Sequence, residues 1–85
     1  MRHARDQDLD RLEDLLAELR TLPGLTEKKR GVFYRKSRAF LHFHEDPSGL
    51  HADVRIDGDD FERMRVEEPD ERVALLALVR AAVSR

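Results

Sequence analysis

Two turns inside one alternating stretch limit most sharply what this chain can fold into. Residues 31–57 read GVFYRKSRAFLHFHEDPSGLHADVRID. Lys36-Ser37 can close a two-residue hairpin, and Asp46-Pro47-Ser48-Gly49 is strong turn chemistry. The segments they separate, 31–35, 38–45 and 50–57, are aromatic or β-branched, and the last two alternate apolar with polar residues. The expectation is a three-stranded antiparallel meander. The turns predict its register. Tyr34 faces Ala39, Phe33 faces Phe40 and Val32 faces Leu41. Across the second hairpin His44 faces His51, Phe43 faces Ala52, His42 faces Asp53, Leu41 faces Val54 and Phe40 faces Arg55.

A strand alternates its side chains between two faces, so this register sorts the meander. One face collects Val32, Tyr34, Ala39, Leu41, Phe43, Leu50, Ala52, Val54 and Ile56, and is the expected core side. The other collects Phe33, Phe40, His42, His44, His51, Asp53 and Arg55. Two phenylalanines and three histidines are unusual on a solvent face, and these seven residues form the candidate binding surface. On this register Phe40→Asp leaves the fold intact, and Leu41→Asp unfolds it.

The flanks are helical in pattern. Leu9, Leu12, Leu15, Leu16, Leu19 and Leu22 recur at three- and four-residue steps, opposite a charged face, with Asp6 or Asp8 as a cap and Pro23-Gly24 as the stop. Residues 1–5 are expected to fray. A final helix starts at Pro69, with Asp70 and Glu71 at its positive end. Its apolar arc is wide enough to meet the first helix as well as the sheet. Residues 26–30 read as a linker, and Asp57-Gly58-Asp59 as a turn. Asp59 and Glu62 fit a capping box over 61–64, with a short strand at 64–66 competing. The predicted order is α-β-β-β-(β)-α. The fold class is α+β, a two-layer sandwich with both helices on one sheet face. Residues 1–85 form one domain, since 85 residues support a single core.

Charge is segregated. Residues 28–38 carry Lys28, Lys29, Arg30, Arg35, Lys36 and Arg38 and no acid. This patch is the alternative site, for an anion or nucleic acid. Residues 57–71 carry eight acids against Arg63 and Arg65. The formal net charge of −2 argues against whole-protein attraction to polyanions. The cluster Asp57, Asp59 and Asp60 lacks the twelve-residue calcium loop with its closing Glu. With no cysteine, thiol chemistry and cysteine-based zinc sites are excluded. No apolar run reaches the length of a membrane span, and residues 1–10 lack the apolar region of a secretory signal, so a cytoplasmic location without a membrane partner is expected.

Residues 22–56 carry LPGLTE, an F-L-H-F-H strand, a DPSG turn and a G-L-H-A-D-V-R strand. This stretch resembles small actinobacterial α+β proteins and, more distantly, YjbR-like and luciferase-like small domains. The resemblance implies the fold and assigns no catalytic residue.

Four uses of the histidine face follow. Opposed Cβ atoms lie about 4.5–5.5 Å apart, so His42, His44, His51 and Asp53 could converge on zinc or nickel. Phe33, Phe40, His42, His51 and Arg55 could line a pocket in which Arg55 takes a carboxylate or phosphate. The face could be a protein interface, with a homodimer as the first candidate. It could also have no function. Ser37 and Ser48 lie in turns away from the central histidines, so no Ser/His/Asp set is assigned. The reading is a binding or interaction module rather than an enzyme, with no catalytic residue and no cofactor.

Overall fold

The computed structural model describes residues 2–57 and 59–84. It is an α+β two-layer sandwich, in the order β1 (Arg2–His3), α1 (Asp6–Asp10), α2 (Glu13–Arg20), β2 (Leu25–Lys29), β3 (Val32–Arg35), β4 (Arg38–Asp46), β5 (Gly49–Val54), β6 (Glu62–Arg65), α3 (Pro69–Val83). The sheet runs β2-β3-β4-β5-β6, every pairing being antiparallel, and β1 adds to β4. The helices pack on one face. Leu15, Leu16 and Leu19 of α2 and Leu75, Val79 and Ala82 of α3 share one core with Leu41, Phe43, Ala52 and Val54 of the sheet.

The leucine stripe forms two helices rather than one. Arg11 and Leu12 donate backbone hydrogen bonds to Asp8 and Leu9, three residues back. That tighter turn aligns positions three apart, so Leu9 and Leu12 both face inward. The cap also differs from the expectation. Arg5 is the N-cap, and Asp8 reaches back to accept the Arg5 N–H at 2.9 Å.

Two segments read as irregular, and one read first as a helical turn, are strands. Residues 26–30, taken for a linker, lie mostly in β2. The helical turn expected over 61–64 is absent, and the competing strand forms instead, as β6, two residues earlier than the expected 64–66. The segment expected to fray is tied down, although Met1 lies outside the described residues. Arg2 pairs with Glu45 and His3 with His44, and the Ala4 N–H donates to the Phe43 carbonyl at 3.1 Å. Arg2 also ion-pairs with Asp8 and Glu45, both at 3.2 Å. The Asp57-Gly58-Asp59 turn falls at Gly58, which is likewise outside the described residues.

The wide apolar arc of α3 does meet the first helical segment. Arg80 ion-pairs with Glu18 at 2.7 Å, and Arg72 donates to the Arg11 carbonyl at 3.3 Å. Val73 stays exposed at 68%.

The main correction concerns register. The second hairpin pairs as predicted from Leu41–Val54 to His44–His51. In the first, Tyr34 does face Ala39, but Phe33 faces Leu41. Phe40 is therefore an extra residue in β4, a β-bulge. An inserted residue re-phases every side chain on its far side. Phe33 joins the core at 1% exposure, and Phe40 enters it at 3%. Val32, Tyr34 and Ala39, expected in the core, are only half-buried and border a cavity with His42 on the opposite face.

Candidate functional site

Without Phe33 and Phe40, the sheet face away from the helices has a polar centre. His42 and His44 are two apart on β4, so both point outward. His3 is their third neighbour. It sits opposite His44 because β1 pairs there. The His3 and His44 rings stack at 4.9 Å between centroids, and those of His42 and His44 meet edge-on at 4.8 Å. One ligand nitrogen from each of the three lies within 4.8 Å of the others.

His51, expected in this cluster, turns away from it. Its Nδ1 lies 3.2 Å from the Gly49 carbonyl oxygen and 3.8 Å from Asp46 Oδ1. Ser48, expected in a turn away from the central histidines, places Oγ 3.4 Å from Nε2 of the turned-away His51. The Ser48 hydroxyl donates to Asp46 Oδ1 at the shorter distance of 2.6 Å. Its proton is directed at the carboxylate, and the trio stabilises the turn rather than preparing a nucleophile.

Asp53 is only 7% exposed, and Arg63 holds it through two hydrogen bonds of 2.8 and 2.9 Å. The Arg63 guanidinium keeps the Asp53 carboxyl below the usual carboxylate range. Asp53 Oδ2 also lies 2.9 Å from His44 Nε2, off the line a hydrogen bond needs. Burial pushes His42 and His44 below the ordinary histidine range, and mutual repulsion of the two rings adds to this at His42. At neutral pH both rings are therefore uncharged, and uncharged imidazole is the form that binds metal. His42 Nδ1 and His44 Nε2 are buried with no hydrogen-bond partner. A buried polar atom left unpaired in this way costs stability.

A stability prediction follows from these directions. The unfolded chain takes up protons on His42 and His44 near pH 6.5, while the folded chain does so only at lower pH. Stability is thus full above that range and falls as pH drops through it. Thermal melts between pH 7.5 and 5.5 should show Tm decreasing with acid. The double variant His42→Gln with His44→Gln should flatten that slope.

Beside the cluster, His3 and His42 line a cavity of about 410 Å³, with Leu9, Val32 and Tyr34 among its walls. It opens where β4 passes from pairing with β3 to pairing with β1. Arg55 stands on the far side of His42. Its guanidinium lies 4.3 Å from the Phe61 ring centroid, and Phe61 in turn meets His42 edge-on at 4.9 Å.

The structure divides the residues of the basic patch among several surroundings. Arg30 is taken up by Asp6, Asp10 and Glu13, and the Lys28 amine lies 5.0 Å from the Tyr34 ring centroid. Lys29 borders the histidine-side cavity. Arg35, Lys36 and Arg38 gather elsewhere, at the β3–β4 turn.

Phe61 and His3 are the site residues that sequence reasoning missed. Only the spacing of His3 from a strand-forming partner could have revealed it, and a two-residue strand carries no periodicity. Comparison with protein-family models, curated proteins and solved structures returned no match. No helix among the described residues is long and apolar enough to cross a membrane.

Proposed function

We propose that this chain is a metal-binding module that takes a first-row divalent cation, zinc or nickel, on His3, His42 and His44. The observation that carries this reading is the convergence of three imidazoles, two of which have a buried ring nitrogen without a hydrogen bond. Tetrahedral zinc with bonds of about 2.0–2.1 Å sets its nitrogens roughly 3.4 Å apart. The histidines stand within 4.8 Å, and His3, exposed on a short edge strand, can swing to close the difference. Three protein nitrogens leave a fourth position open to water or a small ligand, beside the cavity that His3 and His42 line.

Asp53 fits a supporting role better than a ligand role. Its two oxygens are already bonded to Arg63, and its place next to His44 suits it to orient that ring. An interface reading, with a homodimer first, drew its apolar centre from Phe33 and Phe40. Both lie in the core, so the exposed chemistry favours the metal.

Calorimetric titration of tag-free protein with zinc chloride tests this. One zinc per chain is expected. His42→Ala and His44→Ala should each weaken binding by a hundredfold or more, and His3→Ala should do so less severely. His51→Ala should leave affinity unchanged. Equal losses from His51→Ala and His42→Ala, or no saturable binding, would remove this reading.

A further inference from the structure

We infer that the concavity beside the Lys36-Ser37 turn is an anion site for a tetrahedral phosphate group, either free phosphate or the terminal group of a phosphomonoester. The site adjoins the histidine cluster through Phe61, which lies against both Arg55 and His42, but none of its lining residues is a histidine and it does not depend on a metal there.

The concavity has a volume of about 200 Å³, on the scale of one small group. Arg35, Lys36, Arg38 and Arg55 line it over Phe40 and Ile56, and no acidic residue does. Most arginines in this chain have carboxylate partners. Arg2, Arg11, Arg20, Arg30, Arg63, Arg65 and Arg80 are all ion-paired. In the concavity only Arg38 is paired, with Asp59 at 2.9 Å. Arg35, Lys36 and Arg55 have no carboxylate within ion-pair distance among the described residues.

Two further features cost stability without a ligand. Arg35 and Arg38 sit directly opposite each other on β3 and β4. Like charges so placed repel. Arg55 Nε is buried with no hydrogen-bond partner, although the same guanidinium lies over the Phe61 ring. A buried donor on a charged group is expensive to leave unpaired. A dianion between these side chains would offset the repulsion between Arg35 and Arg38 and give the Arg55 guanidinium a counter-charge. Arginine forks match tetrahedral oxyanions, and Lys36 adds a point charge at the rim.

The turn holds the geometry. Lys36 and Ser37 adopt φ of 53° and 67°, the left-handed pair that a two-residue hairpin needs. This closes β3 onto β4 and sets Arg35 against Arg38. The small volume and the net charge of −2 favour a single phosphate over a nucleic-acid backbone.

The test is NMR titration of the full chain, with chelator present and at low ionic strength. Inorganic phosphate and phenyl phosphate are used in separate arms. Saturable one-site binding is expected, with shifts at the amides of Lys36, Ser37 and Arg55. Arg35→Gln and Arg55→Gln should each weaken it about tenfold or more. Arg80→Gln, an equal charge change on α3, should leave it unchanged. Should Arg55→Gln fail to fold, Lys36→Gln on the exposed turn serves instead, with the same expected direction. Tighter binding of inorganic phosphate identifies the free ion as the ligand, and tighter binding of phenyl phosphate identifies a monoester. A linear, non-saturating response overturns the inference, as does equal weakening by Arg80→Gln. Binding only to oligonucleotides, growing with their length, replaces it with a nucleic-acid surface.

Discussion

Phe40→Asp is expected to unfold the protein as completely as Leu41→Asp. Two adjacent strand residues rarely share a face, but the bulge puts both side chains into the core, at 3% and 0% exposure. Truncating a buried phenylalanine to alanine already costs about 3–5 kcal/mol. Domains of this size have roughly 5–15 kcal/mol in total. Aspartate adds a buried, unpaired charge, which exhausts what remains. Ala39→Asp is the control. Ala39 precedes the bulge and sits half-exposed among Tyr34 and His42, so the variant should fold. Circular dichroism with urea denaturation reads all three. A folded Phe40→Asp beside an unfolded Leu41→Asp would mean that Phe40 faces solvent and the bulge does not exist.

The second large effect is expected from the metal. With free zinc at a hundred times its Kd, binding to the native state alone adds about 2.7 kcal/mol of stability. For a chain of 85 residues that corresponds to roughly 10–20 °C in Tm. The size of the shift depends on the unfolded chain binding poorly. His42 and His44 remain neighbours when the chain unfolds, but His3 approaches them only through β1. The full triad is thus a property of the folded state. His42→Ala should abolish the shift, and His51→Ala should preserve it. A wild-type melting curve unchanged by saturating zinc would count against the site.

The second hairpin was legible because both of its determinants are local. The Asp46–Gly49 turn fixes where the strands start, and alternation from His42 to Val54 fixes which side faces in. The first hairpin has an equally clear turn at Lys36-Ser37, yet its register failed after one pair. Nothing in the bare sequence marks Phe40 as an inserted residue. Phe40 and Leu41 are both apolar, and alternation reads equally well with either inside. What decides is tertiary. The core under the leucines of α1 and α2 holds Phe33 and Phe40, and burying two phenyl rings outweighs an uninterrupted ladder. The same blindness hid His3. Two residues paired with β4 are held by Arg2's bridges to nearby Asp8 and to Glu45, the second a contact between distant parts of the chain. The misplaced phenylalanines gave the binding face an apolar centre, and the missing N-terminal strand removed its third histidine. One local error and one long-range omission therefore turned a metal-like cluster into an apparent interface.

The strands that bound the sheet have a consequence for how the protein behaves when crowded. β2 offers Glu27, Lys28 and Lys29 along one margin, and β6 offers Glu62, Arg63 and Arg65 along the other. An unpaired margin is a template on which another chain can add a strand, and charged side chains discourage it. Each margin carries both signs, so a second copy that slid into register would bring like charges together in some alignments and leave ions stripped of water in others. Concentrated solutions should accordingly stay clear of fibrils, and replacing Lys28 and Lys29 with threonine would be a direct way to make this domain polymerise.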